Sequence, residues 1–197
     1  MNRLIELMLI VYSCTFANNI ELNEKNPVNF TTPKNINVDT LICEKSNFHE
    51  KKSFNEFLEK LAFRESSGNW KAINRFGYMG KYQMGKLALR DIGMDSITPI
   101  KFRKDSSIFS EKLQDVAIKK YIRKNRKYLK DCIERYRNTT INGIFITESS
   151  ILGAAHLVGH RSVKEWLNCG GLIKKVDGNG TTIESYLKLF SGYKISC

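Results

Sequence analysis

A chain of 197 residues has room for one domain of about 150 residues, a size that buries enough surface to be stable alone, with a leader and an arm ahead of it. Its 32 Lys/Arg against 20 Asp/Glu give a net charge of +12, a balance that suits a polyanionic partner. After the leader no stretch is apolar enough to cross a membrane. No two of the five cysteines have the Cys-x-x-Cys spacing of a zinc or redox site, and there is no helix-turn-helix, RNA-binding or zinc-finger signature. Metal binding is therefore not expected, nothing favours nucleic acid as the partner, and no organic cofactor is implied.

Residues 1–17 carry Arg3 ahead of an apolar run from Leu4 to Tyr12, then small residues, the pattern of a secretory signal peptide with cleavage after Ala17. Glu6 interrupts the run, which is too short for a permanent membrane span. Val11-Tyr12-Ser13-Cys14 is a loose match to a bacterial lipoprotein box, in which Cys14 would be acylated; a buried N-terminal helix is the plain alternative. The expected location is the periplasm, the cell envelope or the outside of the cell. Residues 18–50, rich in Asn, Thr, Lys and Pro, read as a linker or extended arm, and residues 51–197 as the domain. Without Cys14, the cysteines Cys43, Cys132, Cys169 and Cys197 permit two disulfides in three pairings, or four free thiols.

The domain opens on a capping box, Ser53 with Glu56 three residues on. Phe54, Phe57, Leu58, Leu61 and Ala62 then form one helical stripe, and Glu65 falls on it, four residues past Leu61. Ser66-Ser67-Gly68-Asn69 stops the helix, with Gly68 suited to a left-handed cap. A carboxylate on the buried face, at the negative end of a helix, is disfavoured in its ionised form, as a general acid near neutral pH requires. The bland reading is a Glu that reaches solvent. Against it stands a glycine-rich excursion, with Gly68, Gly77, Gly80 and Gly85 interleaved with Trp70, Phe76, Tyr78 and Tyr82, leading to Gln83. Phe76 to Tyr82 has the composition to fold back as a small ribbon.

Lys81 to Ile92 reads as a short helix ended by Gly93, followed by a loop containing Pro99. Ser107 to Arg137 is one long helix or two, with Ile118, Tyr121, Ile122, Leu129, Cys132, Ile133 and Tyr136 as its stripe. Positions 101–137 hold 13 Lys/Arg and 5 Asp/Glu, net +8, either a solvated face or one that meets a polyanion. Ser149 to Val158 is a helix whose small residues admit a close neighbour, and His156 on it is a core or supporting residue before it is a catalytic one. Ser162 to Cys169 is a further helix stopped by Gly170-Gly171. Asp177 to Thr181 is a turn, since Lys188 stands where a calcium loop needs its bidentate Glu. Thr181 and Glu184 then form a capping box for a last helix with Ile183, Tyr186, Leu187 and Phe190 inward and Gly192 at its end.

The Glu65-Ser66 pair at a helix end, then Gly68-Asn69-Trp70, then Gly80-Lys81-Tyr82-Gln83, resembles the lytic transglycosylases and their lysozyme-like relatives. The soluble members have Gly-Leu-Met-Gln at the second motif. Their third motif, Ala-Tyr-Asn-x-Gly, is represented by Ala155-His156-Leu157-Val158-Gly159, with His156 in the tyrosine position and Leu157 in that of the asparagine. The resemblance spans roughly Ser53 to Gly85 and, loosely, Ser150 to Gly192. It implies a mainly α, lysozyme-like single domain, monomeric, that cleaves the glycan strands of peptidoglycan without water. Glu65 would be the catalytic acid and base, and Ser66, Tyr82, Gln83 and His156 would bind substrate. The alternatives are a hydrolytic lysozyme using Asp91 or Asp95, a non-catalytic wall-binding protein of the same fold, and a basic nucleic-acid binder.

Overall fold

The computed structural model describes residues 52–196; the expected leader, the arm, and Cys14, Cys43 and Cys197 lie outside the described residues. The described chain is mainly helical with a two-stranded sheet. Helix α1, Phe54–Ser66, starts at the expected capping box: Ser53 Oγ accepts from Glu56 N, and the Glu56 carboxylate accepts from Ser53 N. Phe57, Leu58, Leu61 and Ala62 are buried along its inner face. Ser67 (φ 54°) and the expected Gly68 (φ 78°) are both left-handed and close the helix, Ser67 N donating to the Phe63 carbonyl and Gly68 N to that of Ala62.

Helix α2 is Lys86–Asp91, later than the expected start at Lys81, because Gln83 sits at φ 46° and the chain remains irregular until Gly85. Pro99, expected in a loop, instead opens helix α3, Pro99–Lys104. At a first turn its missing N–H costs nothing, and Thr98 caps it by accepting from Lys101 N. The basic stretch resolves into a 3-10 turn (Ser106–Phe109) and two helices, α4 (Glu111–Tyr128) and α5 (Lys130–Tyr136), which part at Leu129. Ile118, Ile122, Leu129, Cys132 and Ile133 are buried as their spacing predicts.

The expected ribbon at Phe76 to Tyr82 reduces to two isolated bridges, Ile73 with Met79 and Met79 with Met84. The sheet lies elsewhere: β1 (Thr140–Ile141) pairs antiparallel with β2 (Ile144–Phe145) across Asn142 and Gly143, both at positive φ. Two positive-φ residues are what a tight hairpin turn demands. Helix α6, Glu148–Asn168, joins the two helices expected over this region and breaks stride at Gly159 (φ 79°, ψ 155°). Helix α7, Ile183–Leu189, is capped by Thr182, which accepts from Ser185 N, and not by Thr181 with Glu184. Glu184 instead accepts from the indole of fully buried Trp166, 2.8 Å away. Asp177 to Thr181 is the expected turn, closed by the Asp177 carboxylate accepting from Asn179 N and Thr181 N.

Helix α7 crosses α6 closely because Gly153 leaves room for Phe190: a Cβ at Gly153 would lie 2.7 Å from the Phe190 ring. Gly153→Val should lower stability by about 1–3 kcal/mol, the usual cost of overpacking. A denaturation midpoint equal to that of the parent would show that the two helices can simply move apart. Cys132 is free and buried while Cys169 is disulfide-bonded, so Cys43, Cys132, Cys169 and Cys197 do not close into two disulfides among themselves.

Candidate active site

The excursion after α1 is held from three sides. Ser66 Oγ donates to the Lys81 carbonyl at 2.9 Å and lies 3.3 Å from that of Asn69, so its hydroxyl ties the loop to the end of α1. Gln114, on the buried face of α4, uses its whole amide. Its Nε2 donates to the Trp70 and Phe109 carbonyls (2.8 and 2.7 Å) and its Oε1 accepts from Lys81 N at 2.7 Å. A Cβ at Gly80 would fall 2.3 Å from that Oε1, so the loop passes there only as glycine, in a left-handed conformation (φ 75°). Gln114 was not singled out from the sequence. The available signal was its spacing with Ala117 and Ile118, which puts an amide on an apolar face. Gln114→Leu leaves buried backbone groups unpaired and should cost at least about 1–3 kcal/mol. A thermal melt that does not shift would mean water takes over these bonds.

Glu65, in the last turn of α1, keeps 16% of its side-chain surface exposed. Tyr186, from α7, donates its hydroxyl to Glu65 Oε1 at 2.5 Å. Burial, and next the Glu65 charge, push this phenol well above its ordinary range, so Tyr186 is a fixed donor. Its ring is tilted against Phe190, with centroids 5.2 Å apart, and the Arg64 guanidinium stands 5.8 Å from its centre. His156, from α6, places Nε2 3.8 Å from the same Oε1, beyond hydrogen-bond reach. Its Nδ1 is buried without a partner, and its ring meets Tyr121 of α4 edge-on at 6.1 Å. Tyr186 was legible only as an inward-facing residue of the last helix.

His156 also lines a cleft of about 570 Å³, together with Tyr121, Gln83, Phe76, Tyr78 and Asp177. Glu65 is not part of that lining; His156 is the side chain common to both. Phe76 and Tyr78 are about half exposed on the wall of the cleft. Gln83 donates Nε2 to the Gly80 carbonyl at 2.9 Å, which supports its left-handed backbone. The cleft continues past Leu87, Ala88, Tyr121 and Val158 into a second lobe of about 620 Å³ beside Asp91, Lys124 and Arg161.

The other two expected ligand residues have different surroundings. Tyr82 is 3% exposed and donates its hydroxyl to Asp115 at 2.7 Å, beside Lys81, which bridges Asp115 and Glu111. Tyr82 and Lys81 line a separate hollow with Glu59, Phe63 and Asp115, so Tyr82 serves the packing of the excursion and not the cleft that holds His156. Ser66 has its hydroxyl committed to the loop carbonyls. Asp91 is held by Lys124 Nζ at 2.8 Å and by the Tyr128 hydroxyl at 3.1 Å, and Asp95 is exposed. Among the described residues no cluster of His, Cys, Asp and Glu has the form of a metal site, and no helix is long and apolar enough to cross a membrane. No family model, curated protein or solved structure matches the chain.

Proposed function

We propose that this protein cleaves the glycan strands of peptidoglycan, with Glu65 as the one catalytic carboxyl group. The observation that carries the reading is the setting of Glu65. An acid at the end of α1 has one oxygen fixed by the Tyr186 hydroxyl and stands 3.8 Å from a histidine that lines a long cleft. With Oε1 engaged, Oε2 is the oxygen left to carry the transferable proton. Glu65 gives that proton to the glycosidic oxygen as the bond from N-acetylmuramic acid C1 breaks, and N-acetylglucosamine leaves with its 4-hydroxyl restored. The resulting carboxylate takes the proton of the muramic 6-hydroxyl as that oxygen closes on C1. The product is a 1,6-anhydro ring, the carboxyl group is protonated again, and no water is consumed.

A hydrolytic route needs a second carboxylate to hold water or to act as nucleophile. Asp91 is committed to Lys124 and Tyr128, and Asp177, the acid on the wall of the cleft, accepts from Asn179 N and Thr181 N within its own turn, which favours the single-acid route. The absence of Glu65 from the cleft lining favours a second reading, a wall-binding protein that keeps the site without turnover. Incubation with purified peptidoglycan separates the two: the enzyme releases soluble glycan fragments, whereas a binding protein sediments with the wall and releases none.

A further inference from the structure

The second lobe of the cleft differs in chemistry from the first. Around Phe76 and Tyr78 the wall is aromatic, whereas past Tyr121 it is lined by Arg90, Lys124 and Arg161 with a single acid, Asp91. Asp91 is paired with Lys124 and bonded to Tyr128. Arg90, in α2, and Arg161, just past the break in α6 at Gly159, are both exposed and have no acidic partner among the described residues. Two guanidinium groups on one concave wall, with the local acid already neutralised, form a receptor for carboxylates, which they bind through paired N–H donors. The two lobes share Leu87, Ala88, Tyr121, Val158, Gly159 and Ser162, so one extended ligand can lie along both.

We infer that the ligand is a glycan that carries carboxylate substituents, with its sugars along the aromatic lobe and a carboxylate of its peptide stem between Arg90 and Arg161. The inference rests on the peptidoglycan reading and adds that this protein distinguishes stem-bearing from bare glycan. The test is equilibrium binding of the full chain to two soluble preparations of the same glycan strands, one with stems and one stripped of them by an amidase and then capped as amides at the lactyl carboxylates this frees, each also scored for cleavage. The parent should bind the stem-bearing strands about tenfold more tightly or better, the range of a charge-assisted hydrogen bond. Arg90→Ala with Arg161→Ala should abolish that preference by weakening the stem-bearing complex alone, and raised salt should do the same. Arg90→Lys with Arg161→Lys should retain part of it, since charge survives without the planar fork. Equal binding of both preparations by the parent, or equal loss on both in the double Ala variant, overturns the inference. Selective binding without cleavage supports it while defeating the catalytic reading, so the two failures are distinct.

Discussion

Glu65→Gln should leave a folded protein whose turnover of peptidoglycan is lower by the roughly 10²–10⁴-fold that loss of a general acid costs, or by more. The substitution keeps the length of the side chain and a carbonyl oxygen able to accept from Tyr186, so the packing of α1 against α7 survives. It removes the one group that, in the proposed mechanism, gives a proton to the leaving oxygen and then takes one from the attacking hydroxyl. In the proposed mechanism both steps use the same carboxyl group, so no residue of the cleft wall compensates. Binding of glycan should persist, since the residues of the cleft wall are untouched. Loss of binding together with turnover would show that Glu65 acts by holding the structure. Full activity would remove it from the chemistry.

Tyr186→Phe is the second large effect. The phenyl ring keeps its contact with Phe190, and only the hydroxyl that donates to Glu65 is lost. That donor fixes where the carboxyl group points, and misplacing a reacting group by about 1 Å costs on the order of 10²-fold. Turnover should fall by roughly tenfold to a hundredfold at little change in KM. The loss in stability should be on the order of 1 kcal/mol, the net worth of one hydrogen bond. A variant that melts earlier but turns over at the parent rate would assign Tyr186 to the core alone.

Much of the helical framework was legible because its signals are local. The Ser53–Glu56 capping box and the stripe through Leu61 specify α1 within thirteen residues. Other elements were missed where one residue type serves two ends. Pro99 marks loops and first turns alike, and only the Thr98 cap decides between them. The hairpin at Asn142-Gly143 was not singled out: its strands are two residues long, too short for alternation to register, although an Asn-Gly pair suits a tight turn. Within the site, Glu65 stood out because a charge on an apolar stripe is a local anomaly. Its partner did not, because Tyr186 is 121 residues away and an inward tyrosine reads as core until its hydroxyl finds an acceptor. Tyr82 shows the converse: a motif tyrosine whose hydroxyl is taken by Asp115, a contact that no local spacing announces.

The mass of what the parent protein releases from purified peptidoglycan tests the proposed cleavage most directly. The proposed cleavage, with Glu65 acting first as acid and then as base, should leave 1,6-anhydromuramic ends, whose fragments lack the mass of one water relative to hydrolysis products. Fragments with ordinary reducing ends, carrying oxygen from solvent, would contradict this account and require a second group that activates water.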